Sequence, residues 1–223
     1  MEEEKKENPK RLSADEVVLK VETGLTNSED DLVLKEGLLE KGLSPKKRKE
    51  GESLLKEAQS LQRTGKQSKA ALTKARGRYK TKFNTVHEKY VTDRTIIKMA
   101  LQNFPEAEID IDFSAKQKGS LAEWRTGLTD FYTSIKSFPE YMEELADYNY
   151  TEEKLSACIK NIGSVVTLNQ EVKKKKGVSE KATKAKNAKI TELRKWYTDF
   201  KKICNLAFES NQVLEKLGII VPS

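Results

Sequence analysis

The sequence predicts an all-α fold, arranged as two tandem, internally duplicated antiparallel helical bundles with long third helices. Composition is the first observation: 35% of the 223 residues are charged and 36% hydrophobic, with only 5 Pro and 11 Gly. Lys, Glu, Leu and Ala lose little freedom in a helix, so a chain rich in them and poor in breakers favours helices. Periodicity is the second. In 193-LRKWYTDFKKICNLAFESNQVLEKLGI-219 the apolar residues recur at helical spacing, and 86-VHEKYVTDRTIIKMALQNFPEAEID-110 carries a fainter version.

The third observation is a repeat. A shift of 107 residues brings Ala75 onto Ala182, Phe83 onto Ile190, Val86 onto Leu193 and Tyr90 onto Tyr197. It also matches Ile96 with Ile203, Ala100 with Ala207, and the helix start Ser44–Pro45 with Thr151–Glu152. A shorter echo, TGLT at 23–26 and 126–129, needs a different offset.

Residues 1–12 are too charged to pack and read as a disordered tail. The first bundle, 13–104, begins with a broken helix over 14–42, where Gly24 and Asn27 mark the break and Ser28 caps the second piece. A second helix over 44–62 has Ser44 as N-cap and Pro45 at its first position, where a missing N–H costs nothing. Gly65 ends that connection, and a third helix runs from about 66 to 103, stopping before Pro105.

Residues 105–119 read as a linker, with IDIDF (109–113) as an extended piece whose isoleucines tuck into a groove. The second bundle, 120–223, repeats the plan. Pro139 kinks or restarts its first helix (120–147), the second spans 151–170, and the third runs from about 178 to Gly218.

Charge is unevenly placed on a chain of net +7. Between Arg63 and Lys98 eleven basic residues face only Glu88 and Asp93; between Lys173 and Lys202 twelve face Glu180, Glu192 and Asp199. EEEKKE, NSEDD, PEAEIDID and EYMEELAD carry the balancing acids. Such helices meet an acidic protein surface, on this chain or on a neighbouring subunit, bind nucleic acid without reading bases, or face an anionic membrane or other partner. The candidate interaction residues are Lys74, Arg76, Arg78, Lys82, Lys173, Lys174, Lys175, Lys176, Trp196 and Phe200. The four consecutive lysines before Gly177 cover every side of a helical turn and read as a solvated turn or local break. Trp196 and Phe200, four residues apart, are candidates for a subunit contact.

Most catalytic chemistry is missing. Neither GxGxxG nor GxxxxGK[ST] occurs, and no helix-turn-helix, zinc-finger or RNA-recognition pattern appears. One histidine and two separated cysteines do not form a zinc site on their own. His87 reads as a half-exposed helix residue, and Cys158 and Cys204 as small buried thiols. The N-terminal MEEEKKENPKRLSADE lacks the apolar core of a signal peptide, and no apolar run is long enough to cross a membrane. The expected location is cytoplasmic.

LADYNYT at 145–151, ATKAKNAKITELRKWYTDFKKICNLAFE at 182–209 and VLEKLGI at 213–219 resemble a group of bacterial helical proteins with no assigned activity. The resemblance covers residues 145–219, with a fainter copy over 38–101. It implies an up-and-down bundle with a long final helix and no assigned activity, and no site residues carry over from it because none are established. The chain departs from that pattern at Asn149, where glycine is usual, and at Ser210–Asn211, where a proline-containing turn is usual.

The function expected is therefore non-enzymatic, with no cofactor and no small-molecule substrate. The chain reads as a structural or assembly subunit, or an adaptor, that self-associates through helical surfaces and complementary charge. The alternative is a sequence-independent nucleic-acid binder using the basic helices.

Overall fold

The computed structural model describes residues 12–114 and 119–219. All regular structure among them is helical: α1 (Ala14–Asp30), α2 (Leu32–Glu40), α3 (Pro45–Ala100), a 3-10 turn (Leu101–Asn103), α4 (Ala107–Asp110), α5 (Leu121–Lys136), α6 (Pro139–Ala146), α7 (Glu152–Ala207) and α8 (Asn211–Lys216). The expected tail at 1–12 falls outside the described residues except for Leu12, which packs against a core and whose carbonyl accepts from Arg194.

Local chemistry sets the helix starts. Ser13 and Glu16 form a capping box before α1, and Ser120 and Glu123 form the same box before α5. Pro139 restarts the chain as α6 after α5 has ended at Lys136, as its missing N–H requires. Gly42, at φ 102, and Asn149, at φ 61, each make the left-handed turn into a long helix. Asparagine is, apart from glycine, among the side chains that tolerate this region best.

Several expected breaks are absent. Helix α1 runs through Gly24, Asn27 and Ser28, and breaks instead at Asp31, whose carboxylate caps the Val33 and Leu34 amides. Ser28 is buried, donating to the Leu25 carbonyl and accepting from Arg48. Helices α3 and α7, 56 residues each, continue through Gly65 and through Lys173–Gly177. A helical glycine costs only about 1 kcal/mol and lysine is a good helix former, so anchored flanks override both signals. The third helix of the second half ends early at Ala207, and Gly218, at φ 74, follows the short α8 instead. In the linker Ile111 is fully buried, whereas Ile109 is 86% exposed.

Compact packing divides the chain into two units: Met1–Ser68 with Ser179–Ser223, and Lys69–Val178. The division differs from the expected 13–104 and 120–223. An unbroken helix cannot fold back onto the pair that precedes it, so its last turns close a different core. In the first unit α1, α2 and the start of α3 enclose Val21, Leu25, Leu38, Leu193, Trp196, Phe200 and Cys204. In the second, α5, α6 and the start of α7 enclose Tyr90, Ile97, Ile111, Leu128, Phe131, Ile135 and Leu155. Within each unit the two long helices run antiparallel: Lys47 and Glu57 meet Trp196 and Lys189, while Arg78 and Asp93 meet Glu171 and Cys158.

Element positions keep one offset. Helices α1 and α5, α2 and α6, and α3 and α7 each begin 107 residues apart, and α3 and α7 also end 107 apart. The capping serines and the two left-handed turn residues are separated by 107 as well.

Candidate interaction surface and buried polar network

The second unit gathers most of the candidate basic residues. On α3, six Lys and Arg residues lie between 69 and 82 with no acid among them. The salt bridge from Arg78 to Glu171, 2.5 Å, brings that stretch beside Lys173–Lys176 of α7. Lys74, Arg76, Lys173 and Lys174 are exposed and make no ion pair among the described residues. Lys175 is half-buried, and Lys176 is exposed but engaged. Lys82 is half-buried and donates to the Asn161 side chain at 2.6 Å. Helix periodicity spreads these cationic groups around α3 and α7 as a broad surface, and Lys82 also borders a small pocket of about 50 Å³ beside Tyr132 and Cys158.

Trp196 and Phe200 are core residues of the first unit rather than part of an open contact. Their rings stack, 5.2 Å apart and 12° from parallel. The Trp196 indole N–H donates to the Lys47 carbonyl at 2.9 Å. Two glycines make the room: a Cβ on Gly51 would run into the Trp196 ring, and one on Gly24 would sit 2.7 Å from Phe200. Only an edge of Trp196 and Phe200 borders solvent, in a cleft of about 520 Å³ rimmed by Lys47, Lys195, Lys202, Glu50, Glu192 and Asp199.

The same place in the second unit holds a buried polar network. Asp93, 2% exposed, accepts from Tyr132 at 2.8 Å, Tyr150 at 2.7 Å and Lys89 at 2.9 Å. The Cys158 thiol lies 3.8 Å from the same carboxylate. Burial, then the Asp93 charge, pushes the Tyr132 hydroxyl far above the usual phenol range; burial, then its hydrogen bond to Asp93, does the same for Tyr150. Burial also raises Cys158, which keeps it a neutral thiol and a poor nucleophile. The Asp93 carboxylate thus accepts three hydrogen bonds inside the core, two from phenols and one from an ammonium group.

Moving each network member by 107 residues gives Phe200 for Asp93, Leu25 for Tyr132, Leu43 for Tyr150, Gly51 for Cys158 and Trp196 for Lys89. All five are apolar. The two clefts also correspond: one of about 360 Å³ in the second unit is bordered by Lys89, Tyr150, Lys154 and Cys158, the counterparts of Trp196, Leu43, Lys47 and Gly51.

Sequence reasoning missed Asp93 as a core residue and counted it only as an acid opposing the lysines. The signal was present: 86, 90, 93, 97 and 100 follow one helical face, and only the charge at 93 argued against burial. His87 is half-buried, accepts from the Trp124 indole at 3.4 Å and stacks on Phe83. Both cysteines are free and buried, and burial pushes Cys204 up to about 12.

No group of three or more His, Cys, Asp or Glu among the described residues could hold a metal ion. No helix among them is long and apolar enough to cross a membrane. Comparison with protein-family models, with curated proteins and with solved structures finds no match to this chain.

Proposed function

We propose that the protein is a non-enzymatic assembly subunit, built from two copies of one helical design, that associates with further copies of itself through complementary charge. The copy relationship is supported by the shared 107-residue offset of helix starts, capping boxes and left-handed turns. A single observation carries the assembly reading. Residues 63–82 and 173–189 hold sixteen Lys and Arg against Glu180 alone, while the rest of the chain holds 26 against 34 Asp and Glu. Cationic mid-helix segments and acidic remainders on one molecule complement each other between copies and set register more than affinity.

Sedimentation velocity over a concentration series tests this. Larger species are expected at low salt and should dissolve near 1 M salt, where screening acts within roughly 3 Å. A monomer at every concentration and salt would end the assembly reading.

The acid-free stretch 69–82 favours a second reading, binding of a polyanion such as nucleic acid. Anisotropy of a labelled duplex should then show affinity that falls linearly with the logarithm of salt concentration and is indifferent to sequence. No shift at low salt would exclude it.

A further inference from the structure

The two units share one plan but fill its centre with opposite chemistry. In each, a helical pair from one half of the chain (α1–α2 or α5–α6) is closed by the last turns of the other half's long helix. The strip over 193–207 brings Phe200 and Trp196 to a pair that offers Gly24, Leu25 and Leu43, with Gly51 beneath the indole. The strip over 86–100 brings Asp93 and Lys89 to a pair that offers Phe131, Tyr132 and Tyr150, with Cys158 alongside.

We propose that these residues are a pairing code: Asp93 with Tyr132 and Tyr150 on one side, Phe200 with Gly24 and Leu25 on the other, ensuring that each strip closes only on the helical pair of the opposite half. The proposal rests on the reading of the halves as copies, because a duplicated chain has two strips and two pairs of similar shape. Like-with-like pairing between copies of the chain is then the error to be excluded.

Both mismatches fail physically, for different reasons. If the 86–100 strip met α1–α2, the Asp93 carboxylate would be buried against Leu25 and Leu43 with no hydroxyl to donate to it. If the 193–207 strip met α5–α6, the Phe200 ring would enter the space that Phe131 fills where α1 has Gly24, and Trp196 would meet Cys158 where α3 has Gly51. One mismatch is excluded by desolvation and the other by overpacking. Only the first half with the second half remains, within one chain or between two. The partner that each strip fits is thus chemically defined: a pair bearing two phenols for one, a pair bearing glycine and leucines for the other.

Hydrogen exchange on the full-length protein tests the code, since it reads each unit separately. Phe200→Asp should lower protection of residues 17–38 on the order of a hundredfold, leaving residues 124–145 unchanged. Adding Leu25→Tyr and Leu43→Tyr should recover about tenfold or more of that loss, because the transplanted carboxylate regains its phenolic donors. Adding Leu25→Phe and Leu43→Phe instead supplies the bulk without the hydroxyls and should recover none. Equal recovery by the tyrosine and phenylalanine sets, or recovery by neither, would overturn the code. The tyrosine pair alone, opposite a native Phe200, should lower protection; if it is tolerated, the positional equivalence of the halves is at fault and the proposal fails with it. Sedimentation reports separately on assembly, so a monomer in which the tyrosine set rescues would keep the code and lose only the assembly reading.

Discussion

Gly51 of α3 lies directly under the indole of Trp196, close enough that a single added methyl group would enter the ring. At the corresponding place in the second unit, Cys158 and Lys89 sit on either side of the Asp93 carboxylate. A large ring over a glycine and a charged network around a thiol are two solutions to filling the same interhelical space.

The glycines therefore divide into two sets with opposite expected effects. Gly51→Ala should destabilise the protein by roughly 2 kcal/mol, since overpacking against Trp196 outweighs the gain in helix propensity. Gly77→Ala, Gly163→Ala and Gly177→Ala have open space around the new methyl and should each stabilise by about 0.5–1 kcal/mol. Denaturant midpoints measure both.

Position 149 offers a sharper conformational test. Asn149 holds φ 61 while its carbonyl accepts from Lys154 at 2.6 Å. Asn149→Gly should raise stability by up to about 1 kcal/mol, and Asn149→Val should lower it by about 1–2 kcal/mol. Gly42→Ala, at φ 102 with nothing near its Cβ, should also destabilise by about 1 kcal/mol, isolating backbone strain from packing.

Asp93→Asn keeps the shape but removes the charge that draws in two phenols and an ammonium group. It should cost about 2–3 kcal/mol in urea unfolding. Asp93→Leu combined with Tyr132→Phe and Tyr150→Phe removes donors and acceptor together and should cost clearly less than Asp93→Leu alone.

Alkaline pH should unfold the protein. Cys204 and Tyr197 are both pushed up to about 12 by burial, against ordinary values near 9 and 10. The unfolded chain releases these protons first, so the folded state binds more protons between the two values. Stability is then unaffected below about pH 8.5 and falls as pH rises from there toward 12. Thermal melting between pH 7 and 11 shows this as a falling Tm; a flat profile would contradict the burial of both groups.

Much of the helical content was legible, and the reasons are local. Ser44–Pro45 and Pro139 are start signals whose physics acts within one turn. Gly65 and Lys173–Lys176 misled because a break is decided by what anchors the helix on both sides, which no short window contains. The pairing of α1–α2 with the end of α7 was beyond local reading, since it joins residues more than 150 positions apart. Trp196 and Phe200 looked available for a partner because their apolar face was visible, while Gly24, which receives Phe200, looked like a break and Gly51, which receives Trp196, carried no signal within its helix. Asp93 was hidden by its charge: its donors Tyr132 and Tyr150 lie 39 and 57 residues away.

Drawing each unit from both halves of the chain has a consequence for synthesis. The second unit is complete once residue 178 has left the ribosome. Helices α1 and α2 emerge well before that point, yet their core stays open until residues 193–219 arrive. At roughly 5–20 residues per second that wait lasts on the order of ten seconds. The helices made earlier are thus sealed later, and through that interval Val17, Val21, Leu34 and Leu38 face the translating cell.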